Sequence, residues 1–286
     1  MPDALSSLTA LLARPLKRRL IGEVRATFHD RTRGETPVVR RDDGLFGREA
    51  VAWRVHGDVM TMTVGGVAAL LLQMLHPAVL AGVWDHSNFR EDMLGRLRRT
   101  ARFIALTTYG SREEAEAMIA RVRTIHHQVK GTLPDGTPYE ADDPDLLAWV
   151  HVTEAISFLD AWIRYAEPAM SIADQDRYFA EVAQIGRALG ADPVPTTRQE
   201  AEALIESRRG ALRSDARTRE VAALVLDQPA RSLAARPFQA LAFSAAIDLL
   251  PAWARAMHRL DRPIVTRPLV RAGTYGIAST LRWAFR

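Results

Sequence analysis

Cysteine is absent from the 286 residues. Disulfides, zinc ribbons, thiolate ligation of iron and thioether attachment of a prosthetic group are therefore excluded. A reducing compartment fits, and any metal has to rely on His, Asp or Glu. Lysine is nearly absent too: among 38 basic residues only Lys17 and Lys130 are lysines, and the rest are arginines. Net charge is only +4, basic and acidic residues are interspersed, and the aromatics (7%) do not interleave with a basic stripe. The sequence thus predicts no nucleic-acid partner. Period-2 alternation is scarce, and "TPVVRR", 36–41, is the best strand candidate. There is no P-loop, no dinucleotide glycine fingerprint, no GxSxG and no HExxH, and no internal repeat.

Hydrophobic residues make up 48% of the chain, enough for one sizeable core. The longest apolar stretch, "VGGVAALLLQMLHPAVLAGVW" at Val64–Trp84, has about the length of a membrane span. Gln73, His76 and Pro77 interrupt it, and the unbroken run Val67–Leu72 is far too short to span. An all-apolar helix is also what the centre of a helical protein needs. The reading is a buried core helix over Met60–Leu75 stopped near Pro77, with no transmembrane span. Near the N-terminus the apolar residues precede the basic ones, the reverse of a secretory signal. "RPLKRRLIGEVRATF" reads as a surface helix, with peripheral membrane contact as its alternative. The expected location is cytoplasmic or membrane-peripheral.

Capping signals place the other helices. Asp92–Tyr109 ends at Gly110, and "SREE" at 111–114 forms a capping box that opens a helix running to about Lys130. "GTLPDGTPYEADDP", 131–144, reads as a loop. Asp143–Pro144 opens a helix over Pro144–Ala166. Further helices are predicted near Ala173–Leu189, Arg198–Gly210, Ala216–Asp227, Pro237–Leu250, Ala252–Leu260 and Arg267–Phe285. The fold class is all-α, a single globular helical domain: an N-terminal helical or extended segment 1–45, a core 46–235, and C-terminal helices 236–286 packed on that core.

The candidate chemistry falls to the eight histidines. His126 shares a helix face with Ile119, Val122 and Val129, whereas His127 sits with Arg123, Thr124 and Lys130. His126 is thus predicted to point inward and His127 towards water. An inward histidine is more often a hydrogen-bonded core residue than a ligand. The same holds for His151, which lies beside Leu147, Ala155 and Phe158, and His76 precedes a proline where helix capping is the plain account. In "RLRRTARF", 96–103, Arg96, Arg99, Thr100 and Phe103 fall on one helix face. A solvated arginine face is the simpler reading; a half-buried one requires an enclosed anion.

Several of these motifs recur together in one order. "WRVHGDV", "GGVAALLLQMLHPAVLAGVWDHSNFRED", "RLRRT", "IHHQVKG" and "YEADDPDLLAWVHVT" run from Trp53 across most of the chain. In this the sequence resembles the haem-dependent oxygenases that include the latex-clearing rubber oxygenases and the fungal oxygenase MpaB. The resemblance implies a helical fold enclosing haem b, dioxygen as co-substrate and a small hydrophobic, alkene or isoprenoid-like, substrate. It implies that His126, in the H-x-x-V pattern His126-His127-Gln128-Val129, is the proximal iron ligand. It maps the distal R-x-x-K-T pattern onto Arg96, Arg99 and Thr100, with Arg99 in place of the lysine, and so implies that Arg96 and Arg99 face an enclosed anionic group. Arginine stays charged and is a poor ligand, so the distal side is expected to be five-coordinate or water-bound. Asp85 and Glu91 are the candidates for the distal carboxylate, with Asp85 taken as the base. His151 matches a second family histidine that supports the pocket. Leu71, Leu75, Phe103 and Phe158 are expected to line the apolar pocket.

Three other readings stay open: a haem or hydrophobic-ligand binding protein without turnover, a non-haem enzyme using His126, His151 and Glu154, and a purely structural helical protein. The oligomeric state is not read from the sequence.

Overall fold

Most helix starts among the described residues are set by side chains that accept hydrogen bonds from the first free amides. A computed structural model describes residues 36–230, 232–233, 235–261 and 266–285, together with Lys17 and Gly22. The amphipathic N-terminal stretch therefore lies almost wholly outside the described residues. In chain order the helices are α1 Val51–Val55, α2 Val59–Gln73, α3 Pro77–His86, α4 Met93–Tyr109, α5 Arg112–His126, α6 Pro144–Tyr165 and α7 Ile172–Leu189. They continue with α8 Arg198–Arg208, a 3-10 turn Arg209–Ala211, α9 Ala216–Leu226, α10 Arg236–Leu249, α11 Ala252–His258 and α12 Arg267–Phe285.

The centre is the pair α2 and α6, the most extensive helix contact in the molecule. Asp58 starts α2 by accepting from the Thr61 amide at 2.8 Å, and Asp143 starts α6 by accepting from Asp145 and Leu146. Gly65 lets the two backbones meet. A Cβ there would lie 2.8 Å from the Ser157 carbonyl oxygen and 2.9 Å from Phe158 Cα. Around this pair the core gathers Val55, Met60, Leu71, Leu75, Trp149, Leu159, Tyr165 and Phe179, all nearly inaccessible.

The C-terminal helices close the other side, α10 on α2 and α12 on α10. Two buried carboxylates fix them. Asp248 of α10 faces Arg164 of α6 at 3.3 Å and Arg271 of α12 at 2.8 Å, with Arg267 at 3.5 Å. Asp58 receives Arg282 Nη1 at 2.8 Å.

The all-α class holds, and most predicted helices lie within two or three residues of the observed ones. The Ser111–Glu114 capping box is formed in both directions. Four details differ. α5 stops at His126 rather than Lys130. The expected loop after it contains a small antiparallel hairpin, Lys130–Thr132 (β1) with Pro138–Glu140 (β2), in which Gly131 faces Tyr139. The strand candidate at 36–41 forms no strand; its backbone is tied to α4 by the Arg41 amide donating to the Tyr109 carbonyl. Pro77 does stop α2, but it also opens α3, because proline suits the first helical position and holds His76 extended. α2 and α3 meet at 103°, so Val64–Trp84 is a bent pair and not one straight span.

By length and composition one helix among the described residues, Pro144–Tyr165, is apolar enough to cross a membrane, and 61% of its apolar window is buried inside the fold.

Candidate functional site

Helices α4 to α7 carry the residues in question. α5 packs on α4 at one side and on α7 at the other, and α7 packs on α6. α4 thus presents the arginine stretch, α5 ends in His126, and α6 brings His151 and Glu154 against α7.

His126 is half-buried, and its Nδ1 is buried with no hydrogen-bond partner among the described residues. Burial pushes its pKa below the usual histidine value; Asp142 opposes this and His127 adds to it. His126 is therefore a neutral imidazole at pH 7. His127 points to water and pairs with Asp142, as its helix face predicts. His151 is pushed down to about 4, by burial first and the charge of Arg187 second. Its Nε2 is buried and has no partner. Gly186 of α7 makes room for this ring, since a Cβ there would stand 3.0 Å from two imidazole atoms.

The arginine stretch divides. Arg96 is half-buried; burial and the nearby Arg99 lower its pKa, and among the described residues its guanidinium donates a long 3.3 Å bond to Ser87 Oγ. Arg99 departs from the expectation of an enclosed partner: its side chain is 53% exposed and pairs with Asp92. Thr100 is exposed as well and donates its hydroxyl to the Arg96 carbonyl. Arg98, which was not singled out, is the buried member of the three. Phe103 is half-buried and packs on the core. Asp85 is exposed and accepts from the Tyr139 hydroxyl at 2.8 Å, while Ser87, two residues on, serves Arg96. Glu91 is exposed. Leu71, Leu75 and Phe158, expected in a substrate pocket, are instead consumed by core packing.

Two features were missed from the sequence. His56 sits with both ring nitrogens occupied, by Thr108 Oγ1 at 2.8 Å and the Tyr178 hydroxyl at 2.9 Å. Burial lowers its pKa to about 3. A saturated neutral imidazole of this kind is structural. Glu154, named earlier only as a conceivable metal ligand, has its pKa raised by burial to about 7. His76 does not cap α3; its Nδ1 is buried without a partner.

Among the described residues no three His, Asp or Glu side chains are placed to share a metal ion. This removes the geometric support for the non-haem reading with His126, His151 and Glu154. A haem needs only one axial side chain, and is unaffected. A surface cleft of about 540 Å³ lies elsewhere, between His76, the hairpin and the start of α6. Its lining is acidic and includes none of Arg96, His126, His151 or Glu154.

No curated protein and no solved structure gives a significant match to this chain. A family model does: the catalytic domain described as ER-bound oxygenase mpaB/B'/Rubber oxygenase matches residues 53–283. That match spans α2 through α12 and takes in every candidate residue above. With most of its length in the match, the chain belongs to the mpaB and rubber oxygenase family and carries its oxygenase catalytic domain.

Proposed function

We propose that this oxygenase domain depends on haem b, works with dioxygen on a small hydrophobic substrate, and uses His126 as the proximal iron ligand. The observation that carries the reading is the place of His126: at the end of α5 its buried Nδ1 has no hydrogen-bond partner among the described residues, and burial lowers its pKa. Neutral imidazole is the ligating form, and a nitrogen left without a hydrogen bond inside a protein calls for another bond. When bound, the haem supplies the iron that activates dioxygen.

The chain's own groups then divide the remaining work. His126 anchors the cofactor. Arg96, desolvated and without a carboxylate partner among the described residues, is a cation suited to a cofactor carboxylate. Arg99 and Thr100 on the same helix are the proposed distal-side residues; Arg99 is permanently charged, and both would have to leave their present partners, Asp92 and the Arg96 carbonyl, to serve there. Phe103 supplies apolar wall, and His151 supports the pocket from α6. Asp85, held by the Tyr139 hydroxyl, is the carboxylate proposed to take up a proton. The proposed location is the cytoplasm or a membrane periphery. A non-turnover haem or ligand carrier is the second reading, favoured by the exposure of Arg99 and its pairing with Asp92. Dioxygen uptake with a reductant and substrate separates the two.

The test is the ultraviolet-visible spectrum of protein produced with haem precursor, beside His126→Ala. A Soret band that is lost or shifted in the variant is the expected result. A colourless parent overturns the haem reading, and an unchanged band in the variant moves the axial role away from His126.

A further inference from the structure

We infer that the outward face of α12 docks this protein on an anionic lipid surface, with Leu269, Tyr275 and Trp283 entering the lipid boundary and the arginines beside them meeting the headgroups. The inference rests on the membrane-peripheral placement proposed above, and deepens it by naming the face and the charge of the lipid. It starts from a helix that is apolar on two opposite sides. Thr274, Ala278, Leu281 and Ala284 are buried against the fold. By helical spacing, Leu269, Ala272, Gly276 and Trp283 fall on the opposite side with Tyr275 at their edge, and all five are exposed. Three of them are large: Leu269 is 76% exposed, Tyr275 50% and Trp283 42%. The outward face of a helix in a water-soluble fold is charged, as in α8, whose exposed positions include Glu200, Glu202 and Glu206.

The surroundings of this face are positive. From Arg262 to Arg286 the sequence holds five arginines and no acidic residue. Asp248 supplies one negative charge against three guanidiniums, those of Arg164, Arg267 and Arg271, and Arg271 is itself half exposed. Lys17 Nζ stands 4.5 Å from the centre of the Trp283 ring. In sequence Lys17 belongs to the basic run "RPLKRR". Exposed tryptophan, tyrosine and leucine bordered by basic side chains are what holds a helix flat in a headgroup layer, apolar face towards the acyl chains.

A second copy of the chain fits this face less well. The strip from Leu269 to Trp283 is about 21 Å long and about 10 Å wide. Its projection of about 200 Å² is far below the roughly 800 Å² that each partner covers in a stable dimer. A two-fold contact there would also set the same excess of positive charge against itself. A bilayer needs no such area, and anionic headgroups neutralise the arginines while the acyl boundary takes the apolar side chains. An apolar substrate of the kind proposed above partitions into the same lipid.

The test is cosedimentation of the full chain, produced with haem precursor, with vesicles of phosphatidylcholine mixed with phosphatidylserine and with vesicles of phosphatidylcholine alone. The Soret band is recorded on the same samples. Binding to the mixed vesicles is expected, about tenfold or more tighter than to phosphatidylcholine alone and weakening as salt is raised. The double change Leu269→Ser and Tyr275→Ser should weaken it about tenfold or more, and Arg271→Gln about fivefold. The serine changes fall on exposed side chains, and an unchanged thermal melt shows that the fold is kept. Failure of the parent to sediment with either vesicle overturns the inference, as does equal binding to both, and neither result depends on a variant. Binding that ignores the double change assigns the contact to another surface and also overturns it. So does a dimer, seen by light scattering, that the double change dissociates. Vesicle binding without a Soret band supports the lipid face and defeats the haem assignment alone; a Soret band without vesicle binding does the reverse.

Discussion

Replacing Glu154 by glutamine is expected to stabilise the protein, and only at high pH. The carboxyl has a pKa of about 7 in the folded chain against 4.5 for an unperturbed glutamate. Below about pH 4.5 both folded and unfolded chains hold the proton, and the group costs nothing. Between 4.5 and 7 the unfolded chain ionises first, so unfolding releases a proton and stability falls as pH rises. Above 7 the penalty is full. A shift of that size corresponds to about 3 kcal/mol, an order-of-magnitude value. Glutamine keeps the shape and removes the charge. Urea denaturation of both proteins at pH 5 and pH 8 is the assay. The variant should gain about 3 kcal/mol at pH 8, about 6 °C or more in melting temperature for a chain of this size, and much less at pH 5. Comparing parent with variant cancels the histidines: His56 and His151, held neutral by burial, lose stability in both proteins as pH falls below 6.5. A gain that is flat with pH, or a loss at pH 8, would show that the carboxylate has a partner in the fold and refute the burial argument.

Gly65→Ala places a methyl within 3 Å of Ser157 and Phe158 backbone atoms, which cannot move aside as a flexible side chain could. A loss of about 3 kcal/mol or an insoluble product is expected from overpacking, measured by denaturation or soluble yield. Asp248→Asn takes the charge from beneath three arginines of α6 and α12; breaking such a buried set costs about 3–5 kcal/mol, and thermal melting reads it. In His126→Ala the haem content should fall while far-ultraviolet circular dichroism stays helical, because the residue ends α5 and packs little.

Much of the helical order was legible because its punctuation is chemical. Ser111, Asp143, Thr197 and Gly110 mark boundaries by what their side chains or backbones do, and the structure places them there. The hairpin was not legible: each strand has three residues and only Tyr139 is buried, so no alternation exists to detect. α1, five residues long, is likewise too short to show a period. At Pro77 a single residue serves as both stop and start, and the sequence displays only the stop. For the site, helical spacing separated His126 from His127 correctly. It did not separate the arginines, because the buried face of α4 runs through Gly95, Arg98, Leu106 and Tyr109 and reads as polar where Arg98 interrupts it. Nor does spacing reveal that burial raises the Glu154 carboxyl to about 7, which depends on the packing around α6.

The tie between Asp58 and Arg282 spans 224 positions. During synthesis the carboxylate that opens the central helix is made early, and its counter-charge arrives more than two hundred residues later. Until then that carboxylate waits either in water or inside a core without its cation. A chain halted before α12 therefore carries a buried carboxylate at the start of its central helix with the Thr61 amide as partner but without its cation.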